Sequence, residues 1–243
     1  MLLVLATALV GYDLSRGHDP LSARSTPPVA EPTTPTPPTV ATPAVTVDAV
    51  PLVAQSGAGT FQFATGEGLV AGLSGPILRY AVGVEDGVGV TPIEFAAAVE
   101  TVLGDPRSWT AGGTVRLQRV AGTAAPDFTI YLATPVTSEA MCRQEWLETG
   151  QYTNCRLSDG RVVINSARWL TAVPNYGAPL ATYQAYAINH EVGHQLGHGH
   201  ELCPGPGRPA PVMQPQTQSL DGCVAYAWPY LDGARYEGPP SGN

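Results

Sequence analysis

The sequence predicts an α+β domain: a twisted sheet with a helix, then one long helix, then a loop-rich C-terminal half. Three observations carry this. Segments with strand or helix periodicity succeed one another between residues 77 and 165. One long helical pattern then covers 182–196. Beyond it the chain is dense in proline and shows neither period. The folded domain is placed at 57–243, with a cleft between a sheet-bearing upper half and a loop-rich lower half.

The elements follow in order. Ile77 to Glu85, ILRYAVGVE, reads as a strand. The next segment is a helix with Thr91 as N-cap, Pro92 as its first residue and Glu94 closing a capping box. Phe95, Val99, Val102 and Leu103 give it an apolar stripe, and Gly104 and Pro106 end it. Thr114 to Val120 and Phe128 to Leu132 alternate like strands that could pair with each other. A short helix over about 138–148 carries Cys142, and Arg161 to Asn165, RVVIN, is a further strand. The long helix is expected to start at a Thr182 cap and run to Leu196. At 100° per residue, Ala185, Ile188, Val192 and Leu196 form one apolar stripe, with His190 and His194 nearly opposite. One face should therefore pack on the core while the other faces the cleft. Gly193 inside this helix costs about 1 kcal/mol relative to Ala, and close approach of another backbone is the expected compensation.

Ahead of the domain, residues 1–11, MLLVLATALVG, form an apolar run. A membrane-crossing helix needs about 20 residues, so this run reads as a signal peptide or a truncated anchor. It lacks a basic flank and a clear cleavage site. Residues 12–56 read as a disordered linker, rich in Pro and Thr from residue 20 on, that tethers the domain to the membrane or cell wall. The expected location is extracellular, secreted or anchored at the cell surface.

The chain of 243 residues carries a net charge of -8, and its twelve basic residues are all Arg without a cluster. Nucleic acid is thereby excluded as an expected partner, and a monomer is expected. Four cysteines, Cys142, Cys155, Cys203 and Cys223, form no CxxC pair. In an exported chain an even count implies two disulfides with three connectivities open. Placement as two local pairs favours Cys142–Cys155 and Cys203–Cys223.

Residues 190–200, HEVGHQLGHGH, hold four of the five histidines. They fill the pattern HExxHxxGxxH with His190, Glu191, His194, Gly197 and His200. A chance match to all five positions is on the order of 10⁻⁵ for this composition. Residues four apart on a helix share a face, so His190 and His194 can reach one metal ion. Gly197 can end the helix and turn the chain back, delivering His200 as third ligand. Three protein ligands with an open fourth position describe a catalytic Zn2+ site. Glu191, one step round the helix, lies beside the metal and is cast as the general base.

The motif resembles that of the metzincin clan of zinc metallopeptidases. That clan has a tight turn with a methionine beneath the metal, and Met213 in PAPVMQPQT is its counterpart here. The segments DPRSW (105–109), NHEVGHQLGHGHELCP (189–204), PAPVMQPQT (209–217) and WPY (228–230) resemble an exported family of high-GC Gram-positive bacteria that carries a domain of unknown function. The resemblance covers about residues 60–231. It implies a metzincin-like fold, zinc as cofactor and an extracellular position, and supplies no substrate. Some metzincins place a tyrosine after the methionine turn to contact the metal or the oxyanion. Here position 215 is Pro215, and Tyr226 is the nearest later tyrosine.

These readings lead to a zinc-dependent endopeptidase acting on a protein or peptide substrate laid along a sheet-edge strand. A cell-wall peptide amidase on the same zinc site, or a catalytically silent zinc-binding module, are the alternatives. His198 is expected to support the site from outside or to face solvent, with replacement of His200 as ligand left open. Glu201 is expected at the surface, and Trp109, Trp146, Trp169 and Trp228 in the core. Asp105, Arg107 and Trp109 are read as a structural corner.

Overall fold

Residues 52–145 and 152–242 of this computed structural model are described. The signal or anchor expected for 1–11, the linker up to residue 51 and Trp146 lie outside them. The elements run β1 (Phe61–Phe63), β2 (Ile77–Glu85), α1 (Pro92–Leu103), β3 (Arg116–Arg119), β4 (Phe128–Ala133), α2 (Pro135–Cys142), β5 (Cys155–Arg156), β6 (Arg161–Asn165), α3 (Ser166–Thr171), α4 (Leu180–Gln195), β7 (Tyr230–Leu231) and β8 (Ala234–Arg235). The first six strands make one mixed sheet in the order β1-β2-β4-β6-β5, with β3 also on β2. β2, β4 and β6 are parallel, and β5 is an antiparallel edge strand on β6.

β3 and β4 do not pair with each other, contrary to expectation; each lies parallel to β2. The carbonyls of Tyr80 and Val82 accept from Val120 and Ala64 on one edge of β2, while that of Arg79 accepts from Asp127 on the other. Alternation tells which side of a strand is buried. It does not name the neighbouring strand, and β2 fills the space between these two.

The alternation does sort the faces. Tyr80, Val82, Val84, Phe128, Ile130, Leu132, Val162 and Ile164 join one core cluster with residues of α1 and α4. Ala133, Cys155, Leu157 and Val163 join a second with Met141 and Cys142 of α2. Helix α1 has the expected capping box: Glu94 N–H donates to Thr91 Oγ1, and Thr91 N–H donates to the Glu94 carboxylate. Helix α2 starts at Pro135, three residues before the expected start, and ends at Cys142. Thr134 spends its hydroxyl elsewhere. Its N–H and O–H, together with Thr137 O–H and Gly59 N–H, donate to the buried Glu85 carboxylate. That carboxylate at the start of α2 also complements the positive end of the helix.

Helix α4 starts at Leu180, with Pro179 before it and no side-chain cap. Thr182, the expected cap, lies inside the first turn and donates its N–H to Pro179 O. The expected division into a core face and an open face also changes. Every residue from Ala185 to Gly193 is buried. Ala185, Ile188 and Val192 face the sheet as read, but the C-terminal segment covers much of the other side. Tyr183 O–H pairs with Thr217 Oγ1, and Tyr186 O–H donates to Gln214 O. Both expected disulfides are present, Cys142–Cys155 tying α2 to β5 and Cys203–Cys223 closing a loop around Met213. Among the described residues no helix is long and apolar enough to cross a membrane.

Candidate metal centre

His190 and His194 stand one turn apart on α4. The helix stops because Gly197 takes φ 93°, a conformation that costs a side chain but not glycine. A Cβ there would touch nothing within 4 Å, so backbone angle and not crowding calls for glycine. The turn is closed by Gly197 N–H to His194 O and His198 N–H to Gly193 O. His200 then comes back to the helix. His194 Nε2 lies 3.2 Å from His190 Nε2 and 3.1 Å from His200 Nε2. These three side chains form the one cluster of metal-ligating type among the described residues.

The ring orientations are set from outside. His190 Nδ1–H donates to Val212 O at 2.8 Å, and His194 Nδ1–H to His198 O at 2.9 Å. A carbonyl only accepts, so each Nδ1 carries the proton and each Nε2 keeps its lone pair. Bare lone pairs this close repel unless a cation lies between them. Imidazole nitrogens bound tetrahedrally to one zinc at ~2.0–2.1 Å would lie roughly 3.3 Å apart, close to the separations found. Burial also favours the neutral rings that bind metals. It drives His190 down to about 3 and lowers His194 and His200. The donor set therefore fits a zinc-type ion.

Glu191 is buried and makes no hydrogen bond or ion pair with any described residue. Desolvation pushes its carboxyl up to about 8. A cation held by the neighbouring imidazoles would oppose that shift. On the helix Glu191 lies between Gln184, which donates to Trp169 O, and Gln195, which accepts from Arg156 Nε. Its flank thus looks toward α3 and the edge strand β5.

Met213 is fully buried under the helix. Gly193 is what lets it in: an added Cβ would collide with Met213 Sδ and come within 2.6 Å of Trp109 Cζ2. The close approach expected at Gly193 is therefore by two side chains and not by a backbone. The Met213 turn also supplies Val212 O, the acceptor for His190.

A family described as protein of unknown function (DUF3152) matches residues 48–230. The chain belongs to this family. No curated protein and no solved structure matches the chain. The DUF3152 description carries no activity, so any chemistry must be argued from the site itself.

In this DUF3152 member several residues around the histidines do more than the sequence indicated. His198 is no part of the ligand cluster; its ring stacks on Trp109 at 4.3 Å while its carbonyl orients His194. Trp109 Nε1–H donates to Asn189 O, and the Asn189 side chain bridges Ser108 Oγ and Ala227 O. Glu201 is not at the surface. It is 8% exposed and accepts from Arg235 at 2.8 Å, while Arg235 also covers the Trp109 ring. Asp105 and Arg107 do form a corner, an ion pair whose guanidinium lies 4.1 Å over Trp228. Trp109 and Trp169 are core, and Trp228 is partly buried against it. Tyr226 donates its hydroxyl to Tyr230 O. No local sequence signal marks Ser108, Asn189 and Arg235 as site residues. Their partners lie 34 to 81 residues away in sequence, beyond the reach of any local pattern.

Proposed function

We propose that this chain is a zinc-dependent endopeptidase of metzincin type, acting outside the cell. One observation carries the reading: a buried carboxylate with no partner among the described residues, Glu191, directly follows the first of three converging imidazoles. A site that only stored metal would not need a desolvated base beside it.

His190, His194 and His200 would hold the ion. When bound, zinc supplies Lewis acidity, lowering the pKa of water toward ~7 and polarising a carbonyl. Glu191 takes the proton of the attacking water and later returns it to the leaving amine. Val212 O and His198 O hold two ligand rings in the tautomer that leaves Nε2 free. The substrate's place is the outer edge of β5. Leu157 N–H donates to Arg161 O, so that pair is hydrogen-bonded and Arg156, opposite Val162, turns its own N–H and C=O away from β6. An extended peptide can add to such an edge. Two disulfides among the described residues suit an oxidising compartment.

The test is Glu191→Gln. Zinc content and circular dichroism should match wild type, while cleavage of a broad peptide library falls by about 10²–10⁴-fold. Equal cleavage by both forms would assign the activity elsewhere. A zinc-loaded wild type that cleaves nothing would favour a silent binding module.

A further inference from the structure

Arg156 lies on the proposed substrate edge and joins it by a hydrogen bond to the ligand helix. Its neighbour Cys155 is buried in the α2-side cluster, so alternation turns Arg156 to the face that carries α4. There Arg156 Nε–H donates to Gln195 Oε1 at 3.0 Å. Gln195 follows the ligand His194 and lies one turn beyond Glu191. The hydrogen bond uses Nε and fixes the plane of the guanidinium. Neither Nη1 nor Nη2 has a hydrogen-bond partner, and no carboxylate pairs with this arginine among the described residues.

A guanidinium without a carboxylate partner among the described residues is hydrogen-bonded to the residue that follows His194, a member of a cluster suited to a divalent cation, and like charges repel. An anion seated at the free fork would remove that repulsion. The two open Nη groups offer the parallel donors that a carboxylate accepts in bidentate fashion. Glu191 is the other ionisable group on this flank, and it is one turn away.

We propose that Arg156 is a specificity-determining residue that takes a carboxylate of the peptide lying along β5. This rests on the peptidase reading above. The substrate class is then acidic peptides, with Asp or Glu at one subsite next to the scissile bond. A free C-terminal carboxylate is the second source of the same chemistry.

The experiment uses the full chain loaded with zinc and blocked peptide pools. The pools differ only in Glu, Gln or Lys at each position, and one Gln pool has a free C-terminus. Cleavage is read by mass spectrometry as kcat/KM. Binding of labelled pools to the Glu191→Gln protein is read by fluorescence anisotropy. A hydrogen-bonded charge pair is worth about 1.5–3 kcal/mol, so wild type should prefer Glu over Gln at one subsite by roughly 10–150-fold. Arg156→Gln should erase the preference, and Arg156→Glu should reverse it toward Lys. Arg156→Lys, which keeps the charge and loses the fork, should retain part of it. A preference confined to the free C-terminus would make the terminal carboxylate the ligand.

Cleavage without acid preference overturns the assignment and leaves the peptidase reading standing. So does a preference that survives Arg156→Glu. A uniform fall in kcat across all pools would also overturn it, by placing the guanidinium on the reacting carbonyl. If no pool is cleaved, the peptidase reading fails and binding decides the anion site. Arg156-dependent binding of the Glu pools keeps it, and charge-indifferent binding removes it.

Discussion

Replacing Gly193 with Ala separates this site from an ordinary helix. In a helix interior that change normally stabilises by about 1 kcal/mol. Here the new methyl group would enter space held by Met213 Sδ and Trp109 Cζ2. Neither can step aside easily, since Met213 is 0% and Trp109 3% exposed. Overpacking of a full core costs about 1–3 kcal/mol per site, and two side chains are struck at once. Striking two side chains points to the upper half of that range, and a net loss of about 1–2 kcal/mol follows once the propensity gain is subtracted. For a domain of this size that lowers Tm by roughly 2–8 °C, where the unopposed change would raise it by ~2–4 °C. The damage should extend to metal binding. Met213 adjoins Val212, whose carbonyl holds His190, and Trp109 stacks on His198, whose carbonyl holds His194. Disturbing such supports typically costs about 10–100-fold in metal affinity. Thermal unfolding by circular dichroism with EDTA, then with excess zinc, reads both effects. A variant with a higher Tm, or with zinc affinity intact, would refute the reasoning.

Other perturbations test neighbouring claims. His200→Ala should weaken zinc binding by more than about 100-fold, and His198→Ala by less than ~10-fold, because His198 acts through its backbone carbonyl; competition titration with a chromophoric chelator ranks them, and the reverse order would move the third ligand. Removing the Cys203–Cys223 bond by a double Ala variant frees a loop with a sequence separation of 20. Chain entropy puts that loss at about 3 kcal/mol, so the urea midpoint should fall clearly and zinc affinity with it. Glu85→Gln turns an amide N–H₂ toward donors that include the fixed N–H groups of Gly59 and Thr134. A loss of about 2–3 kcal/mol in urea unfolding is expected, and a neutral result would mean that the pocket rearranges.

What the sequence made legible was local. The capping box of α1 spans three residues, so Thr91 and Glu94 name both the helix and its start. β2 and β6 have the expected bounds because each is a long enough run to show its content. The cysteine pairs are close in sequence, and the histidines of the motif are held together by one helix and one turn. β1 and β5, at three and two residues, are too short for any period. The start of α2 was missed because Thr134, its N-cap residue, answers to Glu85, 49 residues earlier. The burial of Glu201 has the same kind of cause. A carboxylate beside a motif looks solvated until Arg235 folds back onto it from 34 residues away.

The reading of α4 as half open failed for a reason that bears on function. Its histidine face meets chain without regular structure, and buried irregular backbone needs partners for its polar groups. Tyrosines anchor that chain, since each adds an apolar ring to the core and a hydroxyl that meets a side chain of the segment or, for Tyr186, a backbone carbonyl. Tyr183 O–H meets Thr217 Oγ1, Tyr186 O–H donates to Gln214 O, and Tyr176 O–H donates to Gln216 Oε1. Gln216 in turn donates to Pro211 O and Tyr226 O. The segment 211–217 is thereby fixed against the helix without a strand or helix of its own. Only a segment so fixed can keep Val212 O within 2.8 Å of His190 Nδ1. The eleven residues 190–200 provide the imidazoles and the carboxylate. The aim of the first imidazole depends on chain that begins eleven residues later, so the motif alone is necessary and not sufficient for the site.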